Sequence, residues 1–408
     1  MPTTGQSLLL GVTGGIAAYK ACEIARHFVK QDVAVQAVLT ENAARFVTPL
    51  TFESLTGRPC FAGMFEQKAI LEPGGSYKHI DLGTGFDVML VAPATANIIA
   101  KFANGIADDL LSATYLCFEG AVVVAPAMNT RMWRQAATRR NVDRLIADGV
   151  SVIEPAHGKL ACGETGEGRL ADVEDIAAFV EKLLGRNGPW SKTKVLVTTG
   201  ATREDIDPIR FLSNNSTGEF GRYVARWLIR SGADVTLIQA NPPVHQAFQL
   251  SCRKIEVRSA AEMHEKTVAC ASENDFVFML AAVADFKPKT RSSEKLKKTT
   301  KTDGLDIALS PTVDVLTELG RMKKRPKLVG VSAETSDVIA NSTRKLKAKG
   351  ADAILAVGID SEFAPFGDSP LCGTVLFEDS STTELPHLSK DDAARAFVDI
   401  IAKRYIPT

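Results

Sequence analysis

The sequence predicts two α/β domains in tandem, each built on a parallel, doubly wound sheet. Three observations carry this expectation. Continuous apolar, β-branched runs recur along the chain, helical patterns separate them, and the opening strand–turn–helix pattern returns at Lys194. Such runs mark strands buried on both faces, and helices placed between them force parallel pairing.

The elements follow in order. SLLLGVTGGIAAYKACEIARHFVKQ (7–31) reads as a short strand, a glycine-containing turn and an amphipathic helix. VAVQAVLT (33–40), DVMLVAP (87–93) and AVVVAPAM (121–128) are the next buried strands. LGRNGPWSKTK (184–194), rich in Gly, Pro and polar residues, reads as a linker, which sets the domains at 1–189 and 190–408. KVLVTTGATRE (194–204) then restarts the pattern, and GRYVARWLIRSGADVTLIQA (221–240) adds a helix and a strand. DFVFMLAAV (275–283), KLVGVSA (327–333) and DAILAVG (352–358) complete the second set. RSSEKLKKTTKTDG (291–304) is polar and basic and reads as a flexible loop.

Composition bounds the function. The 408 residues suffice for two hydrophobic cores, and 45% apolar with 24% charged residues is ordinary for a globular protein. Lys plus Arg equals Asp plus Glu at 48 each, so no global field draws nucleic acid or an acidic membrane. Any anionic ligand must be held by local chemistry. Seven cysteines without paired spacing argue against a disulfide framework and a structural zinc site. MPTTGQSLLLGVTGG has no basic n-region, and no stretch approaches the roughly 20 apolar residues that span a bilayer. A reducing, cytoplasmic setting is expected.

Ligands of doubly wound sheets bind beyond the carboxyl ends of the strands. GVTGG (11–15) lies there, where the amides around Gly14 and Gly15 suit an anion, although a plain tight turn would use the same glycines. The loop is not G-x-G-x-x-G, and the second strand ends on the hydroxyl of Thr40 rather than on an acid. A mononucleotide is therefore expected over a dinucleotide. APATANIIAKFANGIADDLL (92–111) offers Ala94, Thr95 and Asn97 at the next strand-to-helix turn. PAMNTRMW (126–133) brings Met128 and Asn129 to the same sheet edge, with a helix N-cap as the bland alternative for Asn129. His79, in YKHIDL, precedes a strand and could equally be a loop histidine. KLACGETGEGR (159–169) reads as a mobile loop, and Cys162 within it is either a chance surface thiol or one delivered by a lid.

In this order, GVTGGIAAYK, KHIDL, APATANIIAKFANGIADDLL, PAMNTRMW and GKLACGETGEGRL resemble the phosphopantothenoylcysteine decarboxylase family of flavin-dependent cysteine decarboxylases. The second half resembles phosphopantothenate–cysteine ligase through TREDIDPIRFLSNNSTGEFG, AAVADFKPK, EKLKK and GVSAET. The resemblance implies two Rossmann-like domains, a flavodoxin-like flavoprotein domain and a nucleotide-binding ligase domain, serving coenzyme A biosynthesis. Loss of CO2 from a cysteine carboxylate leaves an electron pair that no side chain absorbs, so a cofactor is required. The family uses FMN, which oxidises the substrate thiol to a thioaldehyde and later returns hydride. Carried over, Cys162 donates the closing proton, since a thiol with the ordinary pKa of about 8.5 stays protonated at neutral pH. His79 is implied as the base of the oxidative half and Asn129 as the group that orients the substrate carboxylate. Gly14, Gly15, Thr40, Ala94, Thr95, Asn97 and Met128 are implied as flavin contacts.

For the second half, the resemblance implies that CTP activates 4'-phosphopantothenate as an acyl-cytidylate, releasing pyrophosphate before cysteine attacks. A divalent cation, Mg2+ or Mn2+, is expected with the triphosphate, its protein ligands unassigned. Asn214 and Lys295 carry catalytic roles, with Arg210 and Asn214 on the substrate. Met279, Leu280, Ala281, Asp285, Pro311, Thr312, Val313, Asp314 and Val331 match nucleotide contacts. Lys345 and Lys349 share a helix face and match phosphate or ribose contacts, although composition alone would make them a solvated face. Departures from the family pattern are Leu170 for Met, Glu219 for Lys, Val331 for an aromatic and Gly358-Ile359 for Asn-Asp. Homo-oligomers are implied, trimeric through the flavin half and dimeric through the ligase half. Rival readings are a flavin-binding regulatory protein, against which Cys162 stands, and a decarboxylase with an impaired ligase half.

Overall fold

Side-chain alternation explains why the first sheet forms. The computed structural model describes residues 5–64, 78–161, 163–243, 248–297, 305–359, 367 and 369–407. In it, β1 (Ser7–Val12), β2 (Ala34–Leu39), β3 (Val88–Ala94), β4 (Ala121–Pro126) and β5 (Ser151–Val152) pair in parallel, in the order β2-β1-β3-β4-β5. Leu8 and Leu10 enter one core with Phe28 and Val180, while Leu9 enters the opposite core with Phe102 and Trp133. Both faces are dry, as the continuous apolar runs require. The strand order reverses between β1 and β3, so the loops after these strands diverge and open a crevice at the carboxyl edge.

The glycine-rich stretch expected to be a mobile loop is instead a hairpin, in which β6 (Ala156–Lys159) pairs antiparallel with β7 (Thr165–Arg169). Packing outweighs propensity here. A Cβ on Gly168 would stand 2.3 Å from Met128 O, and one on Gly166 would stand 2.5 Å from Thr130 Oγ1. The glycines thus serve close approach as much as freedom, and Met128 N donates to Gly168 O at 2.9 Å.

The second unit has a larger sheet. β8 (Lys194–Gly200) is followed by a small antiparallel pair, β9 (Arg203–Asp205) and β10 (Phe211–Ser213), then by β11 (Asp234–Ala240), β12 (Arg253–Val257) and β13 (Phe276–Met279). A second small pair, β14 (Phe286–Pro288) and β15 (Leu309–Pro311), precedes β16 (Lys327–Glu334), β17 (Ala353–Gly358), β18 (Leu371–Phe377) and β19 (Thr382–Leu388). The main sheet runs β12-β11-β8-β13-β16-β17-β18-β19, with its first six strands parallel and its last two antiparallel. The six parallel strands have the doubly wound order that reverses between β8 and β13. Local pattern did not flag β18, where Cys372, Gly373 and Thr374 interrupt the apolar run, nor β19, of whose side chains only Leu385 is fully buried.

The chain divides into two compact units, Met1–Leu184 and Gly185–Thr408. Part of the stretch read as a linker is packed: Trp190 is fully buried and meets Phe276 edge-on at 5.0 Å. Among the described residues, no helix is long and apolar enough to cross a membrane.

One buried carboxylate pins the amino edge of the second sheet. Asp352, 1% exposed, accepts from Leu328 N at 2.7 Å and Lys327 Nζ at 2.8 Å, and also from Arg325. Burial pushes its pKa up, but the Arg325, Leu328 and Lys327 hydrogen bonds outweigh burial and hold it below the usual carboxylate range. Asp352→Asn is expected to destabilise this unit by about 2–4 kcal/mol at neutral pH. A depressed carboxyl stabilises above its unfolded pKa of about 4 and loses that contribution as pH falls through its folded value. Denaturant titrations should therefore show the gap between variant and wild type closing in acid.

Candidate functional site

Two loops meet at the crevice of the first sheet because one hydroxyl joins them. Thr13 Oγ1 donates to Pro93 O at 2.7 Å and accepts from Thr95 N at 3.0 Å. Thr95 in turn caps the helix Ala96–Asn104 through a bond from Ile98 N at 3.4 Å. Gly14 is required by contact, since a Cβ there would stand 2.4 Å from Asn42 Cβ. Gly15 has extended backbone and faces open space apart from Thr95 Cγ2 at 3.9 Å.

Beside these loops lies a cavity of about 610 Å3 lined by Gly14, Gly15, Thr95, Met128 and Asn129 and covered by residues 159–161 and 168–170 of the hairpin segment. Its charged lining is wholly cationic, from Lys20, Lys159 and Arg169, with no carboxylate among the described lining residues. Such a lining suits a phosphate-bearing, largely apolar ligand.

Asn129 is the N-cap expected of it and more. Its Oδ1 accepts from Arg131 N at 2.8 Å, which starts the short helix Thr130–Arg134, while its Nδ2 donates to Glu164 Oε2 at 3.2 Å. Arg131 donates to the other oxygen of that carboxylate at 2.9 Å. Not every expected residue reaches the cavity. Thr40 caps the helix Glu41–Ala44, Ala94 is fully buried, Asn97 is exposed, and none of the three lines it. His79 sits in the first turn of the helix Lys78–Thr84 rather than in a loop, and also lies off the lining. Cys162 lies outside the described residues.

In the second unit, the switch point between β8 and β13 gathers most of the other candidates. Thr199 Oγ1 donates to Gly218 O at 2.5 Å, and a Cβ on Gly221 would stand 2.3 Å from that hydroxyl, so the helix Glu219–Arg230 starts hard against β8. Asn214 Nδ2 donates to Val283 O at 3.1 Å, just beyond Met279, Leu280 and Ala281. Thr312 N donates to Asp285 O at 2.9 Å and its hydroxyl to Ala284 O at 2.5 Å, which joins Asp285 to the stretch Pro311, Thr312, Val313 and Asp314. Val331 is exposed on β16.

Two of the candidate lysines have internal partners. Lys345 Nζ meets Glu334 at 2.7 Å, Lys349 Nζ meets Asp314 at 3.3 Å, and Glu219 lies 3.9 Å from the buried Lys390 ammonium. Glu219 opens its helix, where a negative charge complements the dipole. Burial raises the carboxyls of Glu334 and Asp314; hydrogen bonds, including those from Lys345 and Lys349 respectively, win and hold both below their ordinary range.

Asp207 was not anticipated from sequence. Buried to 1% exposure, it accepts from Ile209 N and Arg210 N at 2.8 Å, Leu296 N at 3.1 Å and Arg210 Nη1 at 3.0 Å. Arg210 also donates to Leu296 O at 3.0 Å. One carboxylate thus ties Arg210 to the loop that carries the exposed Lys295. The signal was present in DPIR, an Asx-turn sequence before an arginine. No group of three or more His, Cys, Asp or Glu fit to hold a metal occurs among the described residues.

Comparison with known proteins gives the family. Residues 2–185 match the flavoprotein family model, and residues 190–405 match that of the DNA/pantothenate metabolism flavoprotein C-terminal domain. The coenzyme A biosynthesis bifunctional protein CoaBC of Bacillus subtilis (strain 168) is 41% identical over 97% of both chains. Its counterpart in Vibrio vulnificus (strain YJ016) is 37% identical over 90% of both. A crystal structure of the C-terminal domain of a bifunctional CoaBC protein is 32% identical, with a TM-score of 0.43, over 53% of this chain and 98% of that one.

Proposed function

Because the chain belongs to the family of bifunctional coenzyme A biosynthesis proteins, with a decarboxylase and a ligase unit, we propose that it performs two consecutive reactions with the residues described above. The second unit joins 4'-phosphopantothenate to cysteine at the expense of CTP. The first unit decarboxylates the resulting 4'-phosphopantothenoylcysteine to 4'-phosphopantetheine with FMN. The observation that carries this reading is the cation-lined cavity at the switch point, with an amide donor aimed at a carboxylate beside it.

FMN fits that lining. Gly14, Gly15 and Thr95 supply the turn for its phosphate with Lys20 nearby, and Met128 and Ile16 supply apolar surface, while Thr40 caps the helix after β2 and Ala94 and Asn97 lie beside Thr95 in the chain. Bound there, FMN supplies the electron sink that side chains lack. Asn129 holds the substrate carboxylate so that the departing CO2 leaves in one direction. The thiol of Cys162 gives its proton to the product carbon in the closing step. His79 acts as base in the oxidative half, delivered from one copy to the cavity of the next in a trimer of first units.

In the ligase unit, Lys295 stabilises the activated carboxylate, while Arg210 and Asn214 hold the substrate. Met279–Ala281, Asp285, Pro311–Asp314 and Val331 surround CTP. Lys345 and Lys349 exchange Glu334 and Asp314 for its ribose or phosphates, and Mg2+ enters with the triphosphate. Second units pair as dimers, and the enzyme works in the cytoplasm. The test supplies purified protein with 4'-phosphopantothenate, cysteine and CTP. Pyrophosphate, CO2 and 4'-phosphopantetheine are expected, and Cys162→Ser should release CO2 yet form no 4'-phosphopantetheine. Full turnover by that variant would remove the proton-donor role, and protein without flavin absorbance that still released CO2 would remove the first half of the reading.

A further inference from the structure

The hairpin presents a carboxylate of this chain to the residues read as substrate-binding. Glu164 Oε2 accepts from the Asn129 amide at 3.2 Å, and its Oε1 accepts from the Arg131 guanidinium at 2.9 Å. Two donors on successive corners of one turn therefore hold both oxygens of a single carboxylate, an arrangement selective for that group. Asn129 also lines the cavity, and the Arg131 side chain two residues on is 84% exposed. Other contacts also dock the hairpin. Met128 N to Gly168 O at 2.9 Å and the Arg134–Glu167 pair at 3.6 Å dock it independently.

We infer that Asn129 and Arg131 together form the clamp for the substrate's carboxylate, and that Glu164 is its internal competitor, held there until substrate displaces it. This rests on the reading of Asn129 as a carboxylate-binding residue and adds to it a second binding residue and a latch. The latch discriminates as well as delays: a ligand without a carboxylate has nothing with which to displace Glu164. Apparent affinity equals intrinsic affinity reduced by the fraction of molecules with an open clamp. An exposed ion pair favours the latched form only modestly, so removing it lowers KM by roughly two- to fivefold.

The experiment uses the full-length, FMN-loaded enzyme. It measures KM for CO2 release from 4'-phosphopantothenoylcysteine and the inhibition constant of 4'-phosphopantetheine, which lacks the carboxylate. Glu164→Gln is expected to lower KM by roughly two- to fivefold and to leave the inhibition constant unchanged. Arg131→Gln should raise KM by roughly fivefold or more, again without moving the inhibition constant. If Glu164→Gln shifts both constants by one factor, it has merely loosened the hairpin, and the competitor role is overturned. Unchanged constants overturn it equally. Hydrogen exchange of the amides in 156–169 supplies the second readout: protection should persist in Glu164→Gln, and its collapse would count against a latch that the hairpin does not need. Failure of the underlying reading looks different, as absent CO2 release by wild type or a wild-type KM in Asn129→Asp.

Discussion

Asn129→Asp is expected to lower kcat/KM for decarboxylation by roughly 10²- to 10³-fold while leaving the stability of the first unit within about 0.5 kcal/mol of wild type. The two effects separate because the residue has two jobs on two atoms. Its Oδ1 caps the helix Thr130–Arg134 by accepting from Arg131 N, and aspartate keeps that acceptor. Its Nδ2 donates to a carboxylate, and aspartate replaces that donor with a second negative oxygen. The substrate carboxylate would lose a charge-assisted bond and meet repulsion instead. Steady-state CO2 release and a thermal melt on the same preparation make the check. A variant that melts as wild type and also turns over as wild type would leave Asn129 as a cap and nothing more.

Asp207→Ala should reduce ligation by about 10²-fold or more and spare decarboxylation of added 4'-phosphopantothenoylcysteine. The carboxylate is the common acceptor for the amides of Ile209, Arg210 and Leu296 and for the Arg210 guanidinium. Alanine orphans the three amides, and Arg210 keeps only its bond to Leu296 O as a tie to the Lys295 loop. Misplacement of about an ångström suffices for a loss of this size. Pyrophosphate release from CTP against CO2 release from added intermediate distinguishes the two reactions. Ligation at the wild-type rate would show that the loop is positioned by something else.

Much of this architecture was legible because burial writes itself into sequence. VAVQAVLT, DVTLIQA and DAILAVG are strands packed on both faces, and each lies where its apolar run stands. β19 was not legible, since its side chains are mostly exposed and its pairing depends on β18 rather than on local pattern. The hairpin of residues 156–169 defeated local reasoning for a different cause. Glycine propensity argues for a loop, whereas Gly166 and Gly168 are there to let a strand approach the Asn129 turn. For the site, Gly14, Thr95 and Asn129 were visible as turn residues at strand ends. Thr13 and Glu164 were not, because each matters through a partner far along the chain; for Asp207 the local turn was legible in DPIR but its bond to Leu296 was not. Thr13 reaches across to Pro93 and Asp207 to Leu296.

The Thr13 hydroxyl has a consequence for motion. Serving one neighbour as proton donor and another as acceptor, it makes the first rim of the crevice and the third-strand rim a single mechanical piece. The two loops that meet the ligand's phosphate end are thereby fixed in register with each other, whatever occupies the crevice.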